Sequence, residues 1–94
     1  MKNAIIELAY DKIKTNKFYK NSDLECIVIS IEKGEKLKKH TSPKPACIIV
    51  LEGAIDFDIL GETHYLVAHQ TFEFDKNVEH EVLAKENAKF VLIR

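Results

Sequence analysis

From residue 17 onward the sequence is cut into short β-favouring runs, and the cuts are made of turn chemistry. Asn21-Ser22-Asp23, Gly34, Glu52-Gly53, Gly61-Glu62, Asp75-Lys76-Asn77 and Lys85-Glu86-Asn87 recur along the chain. These residue types favour turns because glycine accepts positive φ and Asn or Asp side chains bond their own backbone. Between them lie runs at 17–20, 24–33, 46–51, 54–60, 63–67, 71–74, 79–83 and 89–93. In the fourth of these, Ile55, Phe57 and Ile59 point one way and Asp56 and Asp58 the other, the alternation of a half-buried strand. Short strands at such spacing, with scarcely any helix, predict an all-β sandwich or barrel. At 94 residues the chain has room for one domain, read here as an N-terminal arm over 1–16 and a barrel over 17–94.

Two runs are apolar on both faces: Ile27-Val28-Ile29-Ser30-Ile31 and Ala46-Cys47-Ile48-Ile49-Val50-Leu51. A strand of a small isolated barrel should keep one face for water. A second layer is therefore expected, supplied by the arm or by another subunit, and the reading adopted is a homodimer. Residues 4–13 fit a helical face through Ile5, Ile6, Ala9 and Ile13, and fit strand alternation through Ile6, Leu8 and Tyr10. Gly34 is followed by what reads as a basic loop carrying Lys36, Lys38 and Lys39, and Pro43 and Pro45 keep 41–45 out of a central strand.

The charge balance, 14 basic against 15 acidic residues, argues against nucleic acid as a partner. The lysines of the basic loop have no interleaved aromatics on which bases could stack. No apolar run is long enough to span a bilayer and no signal-peptide core opens the chain, so a cytoplasmic protein with no membrane partner is expected. Cys26 and Cys47 belong to no CxxC pair and read as reduced core thiols. The three glycines are isolated, so no phosphate-binding loop is present.

Between Gly34 and His80 the order and spacing of residues resemble a small single-domain cupin. Gly34-Glu35-Lys36-Leu37-Lys38-Lys39-His40 matches the opening of the first cupin motif, and Val50-Leu51-Glu52-Gly53 matches its closing strand and turn. The stretch from His69 to His80, ending Asn77-Val78-Glu79-His80, follows the second motif, with His69 and Gln70 in place of its Gly-Asp and Asp75 in place of its Pro. His40-Thr41-Ser42-Pro43 resembles short cupins that carry His-Thr-small-Pro instead of His-x-His. The resemblance covers most of the chain and implies a jelly-roll β-barrel.

Cupin enzymes hold a divalent metal with two His and a Glu from the first motif and a His from the second. Carried over by position, the resemblance places His40 and His80 on ligand positions, Ser42 on that of the second His and Ala46 on that of the Glu. Two imidazoles with two vacant positions would hold a metal weakly, so no cofactor is firmly expected. Glu73 could supply a carboxylate only if Phe72 and Phe74 faced outward. His64 reads as an exposed hairpin residue, and His69 as a turn residue tolerating positive φ. The expected function is small-molecule binding at His40, Ser42, Ala46 and His80 without catalysis. The alternative is a metal-dependent enzyme of oxygenase or isomerase type using His40 and His80.

Overall fold

The computed structural model describes residues 3–94. Its strands are β1 (Ile13–Lys20), β2 (Glu25–Ile31), β3 (Lys36–His40), β4 (Ala46–Glu52), β5 (Ala54–Ile59), β6 (Glu62–Val67), β7 (Thr71–Phe74), β8 (His80–Ala84) and β9 (Ala88–Ile93). They form an antiparallel five-stranded sheet of order β1-β2-β9-β4-β7 and a four-stranded sheet of order β3-β8-β5-β6. The expected all-β jelly roll is thus built as two facing sheets. Among the described residues no helix is long and apolar enough to cross a membrane.

Register fixes what lies between the sheets, because residues paired across antiparallel strands share a face. Ile48 and Val50 of β4 pair with Leu92 and Phe90 of β9, and Phe90 pairs onward with Ile29 of β2. Ala46 and Ile48 pair with Phe74 and Phe72 of β7. The opposing sheet contributes Ile55, Phe57 and Ile59 with Val82 and Ala84, all buried. Phe72 and Phe74 therefore point inward, and Glu73 points outward beside Cys47.

Three sequence expectations change. The basic stretch after Gly34 is not a loop but the edge strand β3: Leu37 alone packs on the core while its lysines are exposed. Lysines on an edge strand discourage pairing with other chains, and here they hide the strand from a pattern search. The first strand begins at Ile13, so residues 13–16, assigned to the arm, lie in the five-stranded sheet, where Ile13 pairs with Ile31 and packs against the core. Cys26 and Cys47 are free but not core thiols. Both pair with Ile93 on the outer face of the five-stranded sheet and are half-buried.

The second apolar face of β2 and β9 is covered by the arm. Val28 and Val91 pair on this outer face and are buried. Ser30 Oγ donates to Ala9 O at 2.8 Å, and Lys89 Nζ donates to Ile5 O at 2.8 Å. The Tyr10 hydroxyl donates to Glu52 Oε2 at 2.8 Å, and the Lys89 ammonium lies 5.3 Å from the Tyr10 ring centroid. Burial and the Glu52 carboxylate both raise the Tyr10 pKa, so the phenol stays protonated and able to donate.

Candidate functional site

His40 ends β3 and His80 begins β8, and the two residues are paired across the strands. A register shift between Leu37 and His40 makes this pairing. With Leu37 inward, uninterrupted alternation would turn a residue three positions later outward. The bulge adds the missing step and aims His40 at His80, a common use of bulges beside functional residues. The ring centroids are 4.2 Å apart, near edge-to-face at 63°.

Each imidazole is held by its own backbone. His40 Nδ1 lies 2.7 Å from Lys38 O and His80 Nδ1 lies 3.0 Å from Val78 O. A carbonyl only accepts, so both Nδ1 atoms carry the proton and both Nε2 atoms present lone pairs in the neutral rings. His80 is buried and His40 is exposed. Burial lowers the His80 pKa from 6.5, the charge of His40 lowers it further, and the Val78 carbonyl opposes them. At neutral pH His80 is an uncharged hydrogen-bond acceptor.

Behind the histidines the interior is filled by aromatics. The His80 ring lies 4.5 Å from Phe74 and stacks on Phe57 at 5.5 Å and 21°. Phe57 in turn meets Phe72 at 5.1 Å and Phe74 at 5.3 Å. Phe72 then meets His64 at 4.5 Å. A continuous aromatic column thus runs between the sheets, with imidazoles at both ends.

His64 departs from its expected place as an exposed hairpin residue. It is half-buried and pairs with inward-facing Phe57. The turn responsible is Leu60-Gly61, both with positive φ (53° and 75°), a two-residue connection that sets Ile59 opposite Glu62. Placing the turn one residue later, at Gly61-Glu62, misassigns the face. The signal was present in the inward run of Ile55, Phe57 and Ile59, counted back through a two-residue turn.

Ser42 and Ala46 do not add donors to the histidine pair. Ser42 is buried, but its hydroxyl donates to Lys44 O at 2.7 Å and receives Lys44 N at 3.3 Å, closing a local turn before Pro45. Ala46 is buried beside Phe74 and offers only a methyl group. His69 occupies a turn with φ 75°, as its position in the sequence suggests. Among the described residues no three His, Cys, Asp or Glu side chains are grouped so that they could hold a metal ion. The donor set is two imidazole nitrogens, which does not fit a tightly held divalent ion.

Two clefts open at this end and flank the β5–β6 turn, sharing Ile59, Leu60 and Glu62 as a common wall. One, about 440 Å³, is lined by His80, Lys39 and Thr63. The other, about 380 Å³, is lined by His64, Phe72 and Phe74. Each is large enough for a metabolite-sized molecule.

Residues 27–94 match the family described as Cupin domain. A conserved protein of unknown function from Streptococcus pyogenes superposes with a TM-score of 0.80 at 26% identity, over 88% of this chain and 73% of that one. An RmlC-like cupin from Desulfovibrio desulfuricans superposes with a TM-score of 0.86 at 16% identity, over 99% and 93% of the two chains. KdgF from Halomonas sp. gives a TM-score of 0.79 at 19% identity, over 86% and 76%. No curated protein matches the sequence.

Proposed function

Because this chain belongs to the cupin domain family, we propose that it is a binding member of that family, one that holds a small molecule at the β5–β6 end of the jelly roll without turning it over. The observation that carries this reading is the donor set. His40 and His80 are aligned and held by backbone carbonyls, while Ser42 is engaged with Lys44 and Ala46 has no donor atom.

Chemically, His80 supplies a lone-pair acceptor to the cleft walled by Ile59 and Leu60, and His40, which lines neither cleft, sits against the His80 ring. A ligand hydroxyl or amine would donate to an Nε2 atom while its apolar body lies along the wall. Orientation by a few polar groups on an apolar surface is how small-molecule sites gain specificity. Nothing in this arrangement requires a bond to break.

The second reading, a metal-dependent enzyme, draws on the same two tautomers. Imidazoles that bond a carbonyl through Nδ1 leave Nε2 for coordination. The two readings separate in a thermal-shift screen of metabolites run with EDTA. The binding reading predicts a ligand that raises the melting temperature in EDTA, with the shift lost in His80→Ala. Ligand responses that occur only after a divalent metal is added would support the enzyme reading instead.

A further inference from the structure

The cleft that His80 lines is acidic out of proportion to a chain of formal net charge −1. Asp58, Glu62, Glu79 and Glu81 line it against a single cation, Lys39. The neighbouring cleft adds Glu73 and Asp75, with no lysine or arginine among its lining residues. Asp58 and Glu81 stand opposite each other on β5 and β8, and like charges so placed repel. Thr63 Oγ1 donates to Asp58 Oδ1 at 2.5 Å, and Lys36 Nζ lies 3.5 Å from Glu81 Oε1. Among the described residues the second oxygen of each carboxylate has no partner. A recess walled by carboxylates concentrates cations from solution.

Two further features point to an organic occupant. His80 is 5% exposed, its Nδ1 is engaged by Val78 O, and its Nε2 has no partner among the described residues. That nitrogen is not sealed in the core, because Glu25 Oε2 is the one sealed side-chain atom left unpartnered among those residues. It opens instead to the cleft that His80 lines. Leu60, on the same wall, is 81% exposed at φ 53°, a conformation that Asn or Gly adopts with less strain. A compact metal ion is a poor match, since among the described residues no three potential ligands converge. The Ile59–His80 rung ends the pairing of β5 with β8, and successive residues of a strand face opposite ways. His80 therefore enters the cleft from the inner face of the sheet, and Asp58, Thr63 and Glu81 enter it from the outer face.

We propose, resting on the binding reading above, that this cleft selects a small organic amine carrying a second, neutral hydrogen-bond donor. The ammonium sits at the free oxygens of Asp58 and Glu81, the methylene or ring body lies along Ile59 and Leu60, and the neutral N–H or O–H donates to His80 Nε2. The order of these groups around the end of the sheet sets their order along the ligand. An ammonium has three donors and no acceptor, so it satisfies carboxylates without leaving a lone pair unmatched. A carboxylate ligand would meet the same oxygens as a like charge, and an uncharged one would forgo the attraction.

Three probes of similar length test this in the full chain: aminopentanol, pentanediol and hydroxypentanoate, each titrated into the tens of millimolar while backbone amide shifts are followed by NMR. Aminopentanol should shift the amides around the β5–β6 turn and residues 78–81 saturably, at least about fivefold more tightly than the diol, with the acid weakest. The advantage of the amine over the diol should shrink in Asp58→Asn, in Glu81→Gln and at high salt, because it is a screened attraction between charges. His80→Phe should weaken the amine and the diol alike. Equal binding of amine and diol, tighter binding of the acid, or an advantage that survives both carboxylate substitutions overturns the amine preference and leaves the binding reading standing. Saturable shifts from none of the three overturn the amine proposal, and the binding reading is then decided separately by the metabolite screen in EDTA.

Discussion

At His80 burial disfavours the charged imidazole, and the neighbouring His40 adds to the effect, so the folded-state pKa lies below 6.5. As pH falls, the unfolded chain takes up this proton before the folded one does. Stability is therefore complete above about pH 6.5 and declines below it, until the folded-state pKa is passed. Urea midpoints should be lower at about pH 5 than at pH 7.5, and His80→Phe should reduce the difference. An unchanged slope in that variant would mean that other groups carry the titration. Gly53 makes a steric demand of a different kind. It has φ 80°, and a Cβ there would lie 2.0 Å from the Asn87 carbonyl oxygen. Gly53→Ala should cost about 2–4 kcal/mol in denaturant unfolding, because backbone on both sides must move. The spacing of His40 and His80 made the pair visible in the sequence. The engagement of Ser42 with Lys44 was not visible, because it depends on a turn geometry that several residue types could have formed.

The strands differ in how plainly their sequences declare them. β5 alternates cleanly and β4 is a continuous apolar run, so both follow from period and composition. β3 carries one inward apolar side chain among lysines, and its identity comes only from pairing with β8. The turn Asn21-Ser22-Asp23 was legible through its mechanism: Asn21 Oδ1 accepts from the amides of Asp23 and Leu24. Phe57 of β5 is the hub of the interior, meeting Phe72, Phe74 and His80. Phe57→Ala should destabilise the fold by about 3–5 kcal/mol, from lost burial plus the cavity left behind. Phe57→Leu should cost appreciably less, and equal losses for the two would argue against a closely packed aromatic column.

Across the whole molecule, the arm covers the second apolar face of β2, whereas the outward residues of β4, Cys47, Ile49 and Leu51, are only half-buried. The apolar pattern could not say which polar ties fasten the arm, since Ser30, Glu52 and Lys89 read as ordinary surface residues until Ala9, Tyr10 and Ile5 meet them. Tyr10→Phe removes the bond to Glu52 and should cost about 1 kcal/mol, with faster hydrogen exchange across the arm amides. Unaltered exchange would mean that the remaining ties hold the arm unaided. The cupin jelly roll was legible because its motif order survives where individual motif residues have changed. Those changed residues bear on function: with Ser42 turned to Lys44 and Ala46 lacking a donor, the fold keeps two imidazoles where its enzymes use four ligands. Elemental analysis of protein purified without added metal tests this most directly. The account predicts well under one equivalent of any divalent metal, unchanged by His40→Ala or His80→Ala. One stoichiometric equivalent that disappears in either variant would contradict it.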